Sequence, residues 1–336
     1  MKPNDNATKF SVFIPVKNGR NYISLCVESV LAQTYENFEL VILAGYSTDG
    51  TCEWLRTLEA KDSRIKVIFS DEELGIEGNW DRILSLPKSE FMTILGYDDL
   101  LDQDFLEVIN ETIESEQESD LYLTHFRLID SEGKLIRNCV PMPKYETAAD
   151  FLAARWAGAR DSFGTGYVMR SAMYDNLGGI PRYPDLLYAD DALWMMFMRN
   201  KAKITSCRVC FSYRFHSGSV SGSPNLNAAF NGLKSYFELL REMSKQDDDL
   251  DYVIRLYGPA HAVRISQMYF CYLHLNKASL GSQFQQEILS IRDFLSEVGT
   301  GEIMDERCAT FVGRIKLRAR RWLTKFVRAF IKFVFN

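Results

Sequence analysis

Strand-like and helix-like segments alternate through the first hundred residues of this 336-residue chain. Short runs of apolar and β-branched residues are separated by segments whose apolar residues recur at helical spacing. A chain with this alternation forms a parallel sheet that is covered by helices on both faces. Because the crossovers are right-handed, the carboxyl ends of the strands meet at one edge, where open α/β sheets bind their ligands. The predicted strands are 10–16, 38–43, 65–69 and 91–95.

The remainder of the chain adds further strands and then becomes helical. Strands are predicted at 121–129, 163–169 and 203–213, and the glycines in the second of these allow a close approach by another group. From about residue 225 to residue 312 the apolar spacing is helical. We therefore expect an α/β region that is followed by a helical extension.

Composition excludes several classes of protein. The net charge of −6 argues against a generic nucleic-acid binder, so no nucleic-acid partner is expected. The seven cysteines are scattered through the chain, which predicts reduced thiols in a cytosolic protein. The chain begins without an apolar signal-peptide core and contains no run of 18 apolar residues, so neither a signal peptide nor a membrane-spanning helix is predicted.

The fourth predicted strand ends in the turn Gly96-Tyr97-Asp98-Asp99. Two adjacent carboxylates repel each other unless a cation or a hydrogen-bond donor lies between them. Hard divalent cations such as Mg²⁺ and Mn²⁺ take oxygen ligands, so Asp98 and Asp99 are candidate metal ligands. The alternative is a turn that caps a helix beginning near Asp102.

An ordered series of motifs resembles the family 2 glycosyltransferases, which have the GT-A fold. Each motif alone is weakly specific, but their order and spacing together are typical of that family. They cover roughly residues 9–221. The matching segments are 11–19, 29–40, 47–51, 75–80, 96–99, 190–191 and 213–216.

The resemblance implies a fold and a reaction. The fold is α/β: a GT-A (Rossmann-like) mixed, mostly parallel sheet flanked by helices, with a C-terminal helical extension. The reaction is the metal-dependent transfer of a sugar, with inversion, from a nucleotide-sugar, most simply a UDP-sugar, to a hydroxyl of a glycan or lipid-linked acceptor. The expected cofactor is Mn²⁺ or Mg²⁺. The implied divisions are a disordered N-terminus 1–8, a GT-A domain 9–224 with a nucleotide-sugar half 9–125 and an acceptor half 126–224, a helical extension 225–312 and a final segment 313–336.

The resemblance also implies roles for individual residues. Asp191 matches the general base of inverting members, and a lone base with no nucleophile predicts inversion. The implied metal ligands are Asp98, Asp99 and His216. The candidate nucleotide-binding residues are Pro15, Val16, Asn18, Tyr46, Asn79, Asp98 and Arg214, of which Tyr46 is proposed from its own side chain rather than from the resemblance. Two alternatives stay open: the pair Asp190-Asp191 as the beginning of a helix, and a structural His216 held by hydrogen bonds.

This chain departs from the family pattern at two places. Ala44 and Gly45 stand where two aspartates usually follow the second strand, and Gly96 stands where the acidic motif usually begins. Tyr46 could stack on the nucleobase instead, although a core or surface tyrosine is an equal alternative. These departures favour, as the second hypothesis, a catalytically degenerate GT-A module that binds glycan or partner proteins without turnover.

The final segment, 313–336, has a basic face and an apolar face. Eight basic residues and no acidic one lie between Arg314 and Lys332. A single-sign basic face opposite an aromatic-rich face predicts an interfacial helix on an anionic membrane, and docking on the protein's own core is the alternative. Such a helix suits an enzyme of surface-polysaccharide synthesis with a lipid-linked acceptor. We therefore expect a cytoplasmic protein, peripheral on the cytoplasmic face of the cell membrane.

Overall fold

The computed structural model describes residues 10–58, 62–216, 225–281 and 283–298. Within these ranges the chain forms two compact units. The first unit comprises residues 10–58, 62–150 and 162–216, and the second comprises 151–161, 225–281 and 283–298. The predictions for residues 1–8 and for the segment 313–336 lie outside the described residues.

The first unit is built on a ten-stranded sheet. Its order is β3-β2-β1-β4-β9-β6-β10-β5, with β7 paired to β6 and β8 paired to β10. Strands β1, β2, β3 and β4 are mutually parallel, and β9 is antiparallel to its neighbours β4 and β6. The strands are β1 Phe10–Val16, β2 Phe38–Ala44, β3 Ile65–Phe69, β4 Phe91–Ile94, β5 Leu100–Leu101, β6 Leu121–Ile129, β7 Leu135–Asn138, β8 Tyr145–Glu146, β9 Val168–Arg170 and β10 Lys203–Arg214.

Helices follow most of the strands, as the alternating pattern predicts. Strand β1 is buried along its whole length, which explains why its sequence is apolar on both faces. The helices are α1 Ile23–Leu31, α2 Thr51–Arg56, α3 Ile76–Asp81, α4 Phe105–Ser115, α5 Ala148–Trp156, α6 Ser171–Asn176, α7 Ala189–Phe197, α8 Leu226–Ser244, α9 Asp248–Leu275, α10 Lys277–Leu280 and α11 Gln283–Glu297, with 3₁₀ segments at Arg82–Ser85 and Pro184–Leu186. This confirms the predicted mixed, mostly parallel α/β fold.

The predicted strand 163–169 is wrong for its first five residues. Only Val168–Arg170 pairs in the sheet, as β9. Gly166 has a left-handed backbone with φ of +80°, and a Cβ there would lie 2.6 Å from the ring of Phe211. A strand cannot continue through that conformation, so residues 163–167 form a loop. That loop brings Thr165 to the acidic turn described below.

The second unit is helical and includes a segment that the sequence placed in the α/β domain. The indole of Trp156 stacks on the ring of Phe237, with centroids 5.4 Å apart, and on the ring of His261, at 5.2 Å. These contacts explain why residues 151–161 group with the helices rather than with the sheet. Among the described residues, every helix is too short or too polar to cross a membrane.

Candidate active site

The carboxyl ends of β1 to β4 meet at one edge of the sheet. Pro15 and Val16 end β1 and lie in register with Leu43 and Ala44 of β2. Both residues are buried, and the Val16 carbonyl oxygen accepts the Gly45 N–H at 2.8 Å. Of the residues that the sequence assigned to a nucleotide, Pro15, Val16, Asn18 and Tyr46 lie at the ends of β1 and β2 or in the loops that follow them, and their role stays a prediction.

The loops after β1 and β2 are tied together by hydrogen bonds. The N–H of Asn18 donates to Ser47 Oγ at 3.0 Å, and the Asn18 side-chain oxygen accepts from Thr48 N–H at 2.9 Å. The N–H of Arg20 donates to Asp49 Oδ2 at 2.9 Å. Asn18 has a left-handed backbone (φ 52°), which asparagine tolerates better than most residues. The two loops thus form one preorganised wall.

Asn79 and Tyr46 have contrasting environments beside that wall. Asn79 is buried: its amide donates to the carbonyl oxygen of Leu43 at 3.2 Å and its oxygen accepts from Arg82 at 2.9 Å. Tyr46 is 53% exposed and is available to a ligand. The predicted role of Tyr46 on a nucleobase is compatible with its exposure, whereas Asn79 has a structural role whether or not it also contacts a nucleotide.

Asp99 is held from two sides and is only 1% exposed. Its Oδ2 accepts from the Thr165 hydroxyl at 2.6 Å, and its Oδ1 accepts from the Arg214 N–H at 2.9 Å. Burial, followed by the charge of Asp98, raises the pKa of the Asp99 carboxyl well above its ordinary value. The capping alternative is wrong, because α4 begins at Phe105 with Asp104 as its N-cap.

Asp98 lies against His216. The Nε2 atom of His216 is 2.7 Å from Asp98 Oδ2, and the two side chains keep 11% and 16% of their surface exposed. These two residues are 118 positions apart in the sequence. The structure therefore brings together two of the three predicted metal ligands, each partly exposed.

Arg214 fastens this acidic turn to the sheet. Its Nε donates to the main-chain oxygen of Asp98 at 2.7 Å, and its Nη1 donates to the carbonyl oxygen of Asp130 at 3.1 Å. The guanidinium lies 4.9 Å from the ring centroid of Tyr22, whose ring also contacts His216. Arg214 is 2% exposed, and its side-chain donors bond main-chain oxygens of the turn and of the loop after β6.

Gly96 gives the two carboxylates the room that they occupy. A Cβ at Gly96 would lie 2.7 Å from Asp99 Oδ2 and 2.8 Å from Asp98 Oδ1, closer than real contacts allow. The Gly96 carbonyl oxygen accepts the Cys26 thiol at 3.3 Å. Burial and then the charges of Asp99 and Asp98 raise the pKa of that thiol well above its ordinary value, so it stays protonated. The glycine that departs from the family pattern is thus required by this turn.

Asp191 lies in the first turn of α7 and is 6% exposed. The N-cap is Tyr188 rather than Asp190, and Asp190 Oδ1 accepts the Asp191 N–H at 2.8 Å. Two carboxylates in the first turn of a helix are favoured by its dipole. The alternative in which Asp190 caps the helix is therefore wrong: both carboxylates lie inside the first turn of α7.

One short segment touches both acidic pairs. A Cβ at Gly164 would lie 3.5 Å from Asp190 Cβ, and the next residue, Thr165, donates to Asp99. Asp99 and Asp190 are 91 positions apart in the sequence. The two acidic pairs thus lie on the two sides of Gly164-Thr165. Thr165 was missed in the sequence, although its position between two glycines marks a loop with unusual backbone freedom.

The sheet order, the flanking helices and this edge define a GT-A fold, which is also the fold of a solved relative. S. aureus TarS 1–349 in complex with UDP-GlcNAc aligns with a TM-score of 0.64 at 18% identity, over 87% of this chain and 82% of that one. Residues 11–170 match the family described as glycosyl transferase family 2. Residues 11–170 therefore form a family 2 glycosyltransferase domain.

Curated relatives match a little over a third of the chain. Glycosyltransferase GlyG of Streptococcus pneumoniae is 27% identical over 124 residues, which are 37% of this chain and 41% of GlyG. Chondroitin synthase of Pasteurella multocida is 32% identical over 136 residues, which are 40% of this chain and 14% of that synthase. The chain thus spans less than half the length of each of these two relatives.

Proposed function

We propose that this protein is a metal-dependent, inverting glycosyltransferase that moves a sugar from a UDP-sugar to a hydroxyl of a glycan or lipid-linked acceptor in surface-polysaccharide synthesis. The observation that carries the proposal is the pair of acidic sites, Asp98-Asp99 and Asp190-Asp191, on the two sides of Gly164-Thr165. One site suits the leaving diphosphate and the other suits the attacking hydroxyl.

The residues at the acidic turn fit a divalent cation, Mn²⁺ or Mg²⁺. Asp98 and His216 offer an oxygen and a nitrogen 2.7 Å apart on partly exposed side chains. No cluster of three or more such ligands exists within the described ranges, and magnesium commonly binds through one or two protein ligands plus substrate phosphates. A cation held there would neutralise charge on the leaving diphosphate.

Asp99 has a different role in this proposal. That Asp99 also binds the metal stays a prediction. In the structure both of its oxygens already accept hydrogen bonds, and the residue is buried. We infer that Asp99 fixes the turn on which Asp98 lies. Arg214, through its bond to the Asp98 main-chain oxygen, fixes the same turn and so keeps Asp98 in reach of His216.

Asp191 is the proposed general base. A carboxylate within hydrogen-bond reach of the acceptor hydroxyl takes its proton as the oxygen attacks the anomeric carbon. With a single base and no protein nucleophile, the displacement is direct and the anomeric configuration inverts. Asp190 supports this role by accepting the Asp191 N–H and so fixing the beginning of α7.

The donor assignment is supported by TarS, whose structure contains UDP-GlcNAc, and by the exposed Tyr46. An aromatic ring at the edge of the sheet can stack on a uracil without a carboxylate at positions 44 and 45. Pro15, Val16 and Asn18 would contribute main-chain contacts to the same nucleoside. The polysaccharide context is supported by the name of the chondroitin synthase.

We expect UDP to bind in the presence of Mn²⁺, with Asp98→Asn weakening the binding at least about tenfold, since lost metal interactions typically cost that much. Isothermal titration calorimetry with UDP and Mn²⁺ measures this, and a panel of nucleotide-sugars then identifies the donor. The matched control is Asp249→Asn, an exposed carboxylate in the first turn of α9. A parent protein that releases no heat with UDP, ADP or GDP would instead favour the degenerate binding module.

The proposed location is the cytoplasmic face of the cell membrane, through the basic amphipathic segment 313–336. We expect the full chain to float with vesicles that contain phosphatidylglycerol and a chain lacking 313–336 to remain in the soluble fraction. Basic residues near an anionic surface contribute roughly 1 kcal/mol each, so eight of them give a large difference. Neutral vesicles are the control. Equal flotation of both chains would contradict the proposed location.

A further inference from the structure

Helix α3 and the 3₁₀ segment after it are fixed to the edge of the sheet. The Asn79 amide donates to the Leu43 carbonyl oxygen at 3.2 Å. The Arg82 guanidinium donates to the carbonyl oxygens of Ala44, at 3.3 Å, and Ile68, at 2.7 Å. These oxygens belong to the ends of β2 and β3. The position of α3 is therefore set by the ends of β2 and β3, next to the loops that we assign to the nucleotide.

Two carboxylates of the same helix hold a distant segment of the chain. Glu77 Oε1 accepts the main-chain N–H of Asp185 at 2.7 Å, across 108 positions of sequence. Asp81 accepts two hydrogen bonds from Arg182, at 3.2 Å from Nε and at 2.5 Å from Nη2. Charge-assisted hydrogen bonds are stronger than neutral ones, and the bidentate Asp81–Arg182 pair adds geometric specificity. These contacts fasten segment 182–188 to α3. The segment leads directly into α7.

Segment 182–188 has an unfavourable backbone conformation. Asp185, Leu186 and Tyr188 have positive φ values of 53°, 55° and 67°, and none of them is a glycine. Such conformations persist only where the surrounding structure enforces them, and they concentrate at functional sites. The helix that carries Asp191 begins directly after the last of them, at Ala189. A segment that relaxed would displace the first turn of that helix.

We propose that Glu77 and Asp81 are positioning residues, which hold segment 182–188 in its strained form and thereby place Asp191 against the acceptor hydroxyl. This inference rests on the proposed function, in which Asp191 is the general base. Helix α3 then has two roles. It packs beside the loops that we assign to the nucleotide, and it holds the segment that positions the general base. Neither carboxylate is required to touch a substrate.

The first test separates positioning from donor binding. In Glu77→Ala the Asp185 N–H loses its acceptor, and we expect kcat for transfer to fall about 30-fold, with KM for the nucleotide-sugar changing less than about twofold, because misplacement of a reacting group by about 1 Å costs up to about 100-fold. Glu77→Gln keeps an acceptor oxygen at the same place and should remain within about threefold of the parent. The matched control is Glu111→Ala, an exposed glutamate on α4.

The second test does not depend on turnover. Hydrogen–deuterium exchange of the peptide that covers residues 182–191 should become at least about tenfold faster in Glu77→Ala and stay at the parent rate in Glu77→Gln and Glu111→Ala. A parent that transfers no sugar from any donor refutes the proposed function, while this exchange still decides whether Glu77 holds the segment. Unchanged exchange in Glu77→Ala overturns the inference, whatever the activity.

The ion pair offers an independent variant set. Asp81→Arg and Arg182→Asp should each lower kcat and accelerate exchange in segment 182–188, and the double variant, which restores opposite charges, should recover most of both. Recovery in the double variant supports a positioning role for the pair. If both single variants keep the parent kcat, or if the double variant is worse than either, the role of Asp81 is overturned.

Discussion

Replacing Asp191 with asparagine should lower kcat for sugar transfer by about 10³-fold, within the range that a positioned general base contributes. The substitution keeps the size of the side chain and its capacity to accept hydrogen bonds, but it removes the proton acceptor. Since Asp191 is 6% exposed, an isosteric change is preferable to alanine, which would leave a cavity. Donor affinity should stay within about twofold of the parent, because Asp191 acts on the acceptor rather than on the donor. Steady-state kinetics and calorimetry with UDP measure the two quantities.

Two controls make the result specific to Asp191. Asp249→Asn removes one exposed carboxylate from the first turn of another helix, α9, and should leave kcat unchanged. Asp190→Asn retains an oxygen that accepts the Asp191 N–H and should cost no more than about tenfold. If Asp190→Asn lost as much activity as Asp191→Asn, the base would have to be reassigned. The configuration of the product, followed by proton NMR, tests inversion directly.

The regular part of the fold was predictable because it depends on local patterns. The apolar run Phe10–Val16 is buried on both faces, as a central parallel strand must be, and the segments around it alternate accordingly. The turn at Asp98 and the pair at Asp191 were also found, since adjacent carboxylates at a strand end or helix start stand out in any sequence. These features require only a few consecutive residues to be recognised.

Local patterns do not predict the contacts that complete the site, because each joins residues that are far apart in sequence. The family resemblance named Asp98 and His216 together as metal ligands, whereas Thr165 was missed. His216 approaches Asp98 across 118 positions, and Thr165 approaches Asp99 across 66. The second contact lies in a loop, because Gly166 takes a left-handed backbone and the strand begins only at Val168. The sequence pattern assigned residues 163–167 to the sheet. The close packing of Phe211 on Gly166 instead keeps them in a loop.

The departure at Gly96 illustrates how a local comparison can mislead. In sequence it weakens the acidic motif and favours a degenerate module. In the structure it is the residue that leaves room for both carboxylates, and the turn also bonds Asp99 N–H to the Gly96 carbonyl oxygen at 3.0 Å. A glycine at a tightly packed position indicates that its neighbours leave no room for a side chain. It does not indicate that a functional side chain has been lost. A side chain at position 96 should therefore damage the site.

Gly96→Ala should destabilise the protein by about 2 kcal/mol, the usual cost of inserting a methyl group into a well-packed site, and should lower kcat/KM by at least about 100-fold. The new Cβ would meet Asp99 Oδ2 at 2.7 Å and Asp98 Oδ1 at 2.8 Å. Neither carboxylate can retreat freely, because Thr165 and Arg214 hold Asp99 and His216 contacts Asp98. Thermal unfolding and transfer kinetics measure the two effects.

Gly258→Ala is the matched control, since a Cβ at Gly258 in α9 would meet its neighbours at 3.4 Å or more, an ordinary contact. That variant should keep its activity and its melting temperature, because alanine is also the better helix former. A Gly96→Ala protein that melts and turns over like Gly258→Ala would mean that the two carboxylates can move apart without cost. The donor site would then not depend on their present geometry, and the metal assignment to Asp98 and His216 would lose its structural basis. The proposed function requires instead that Gly96→Ala loses UDP binding although its residue 191 is still aspartate. The acidic turn would then bind the donor separately from the base.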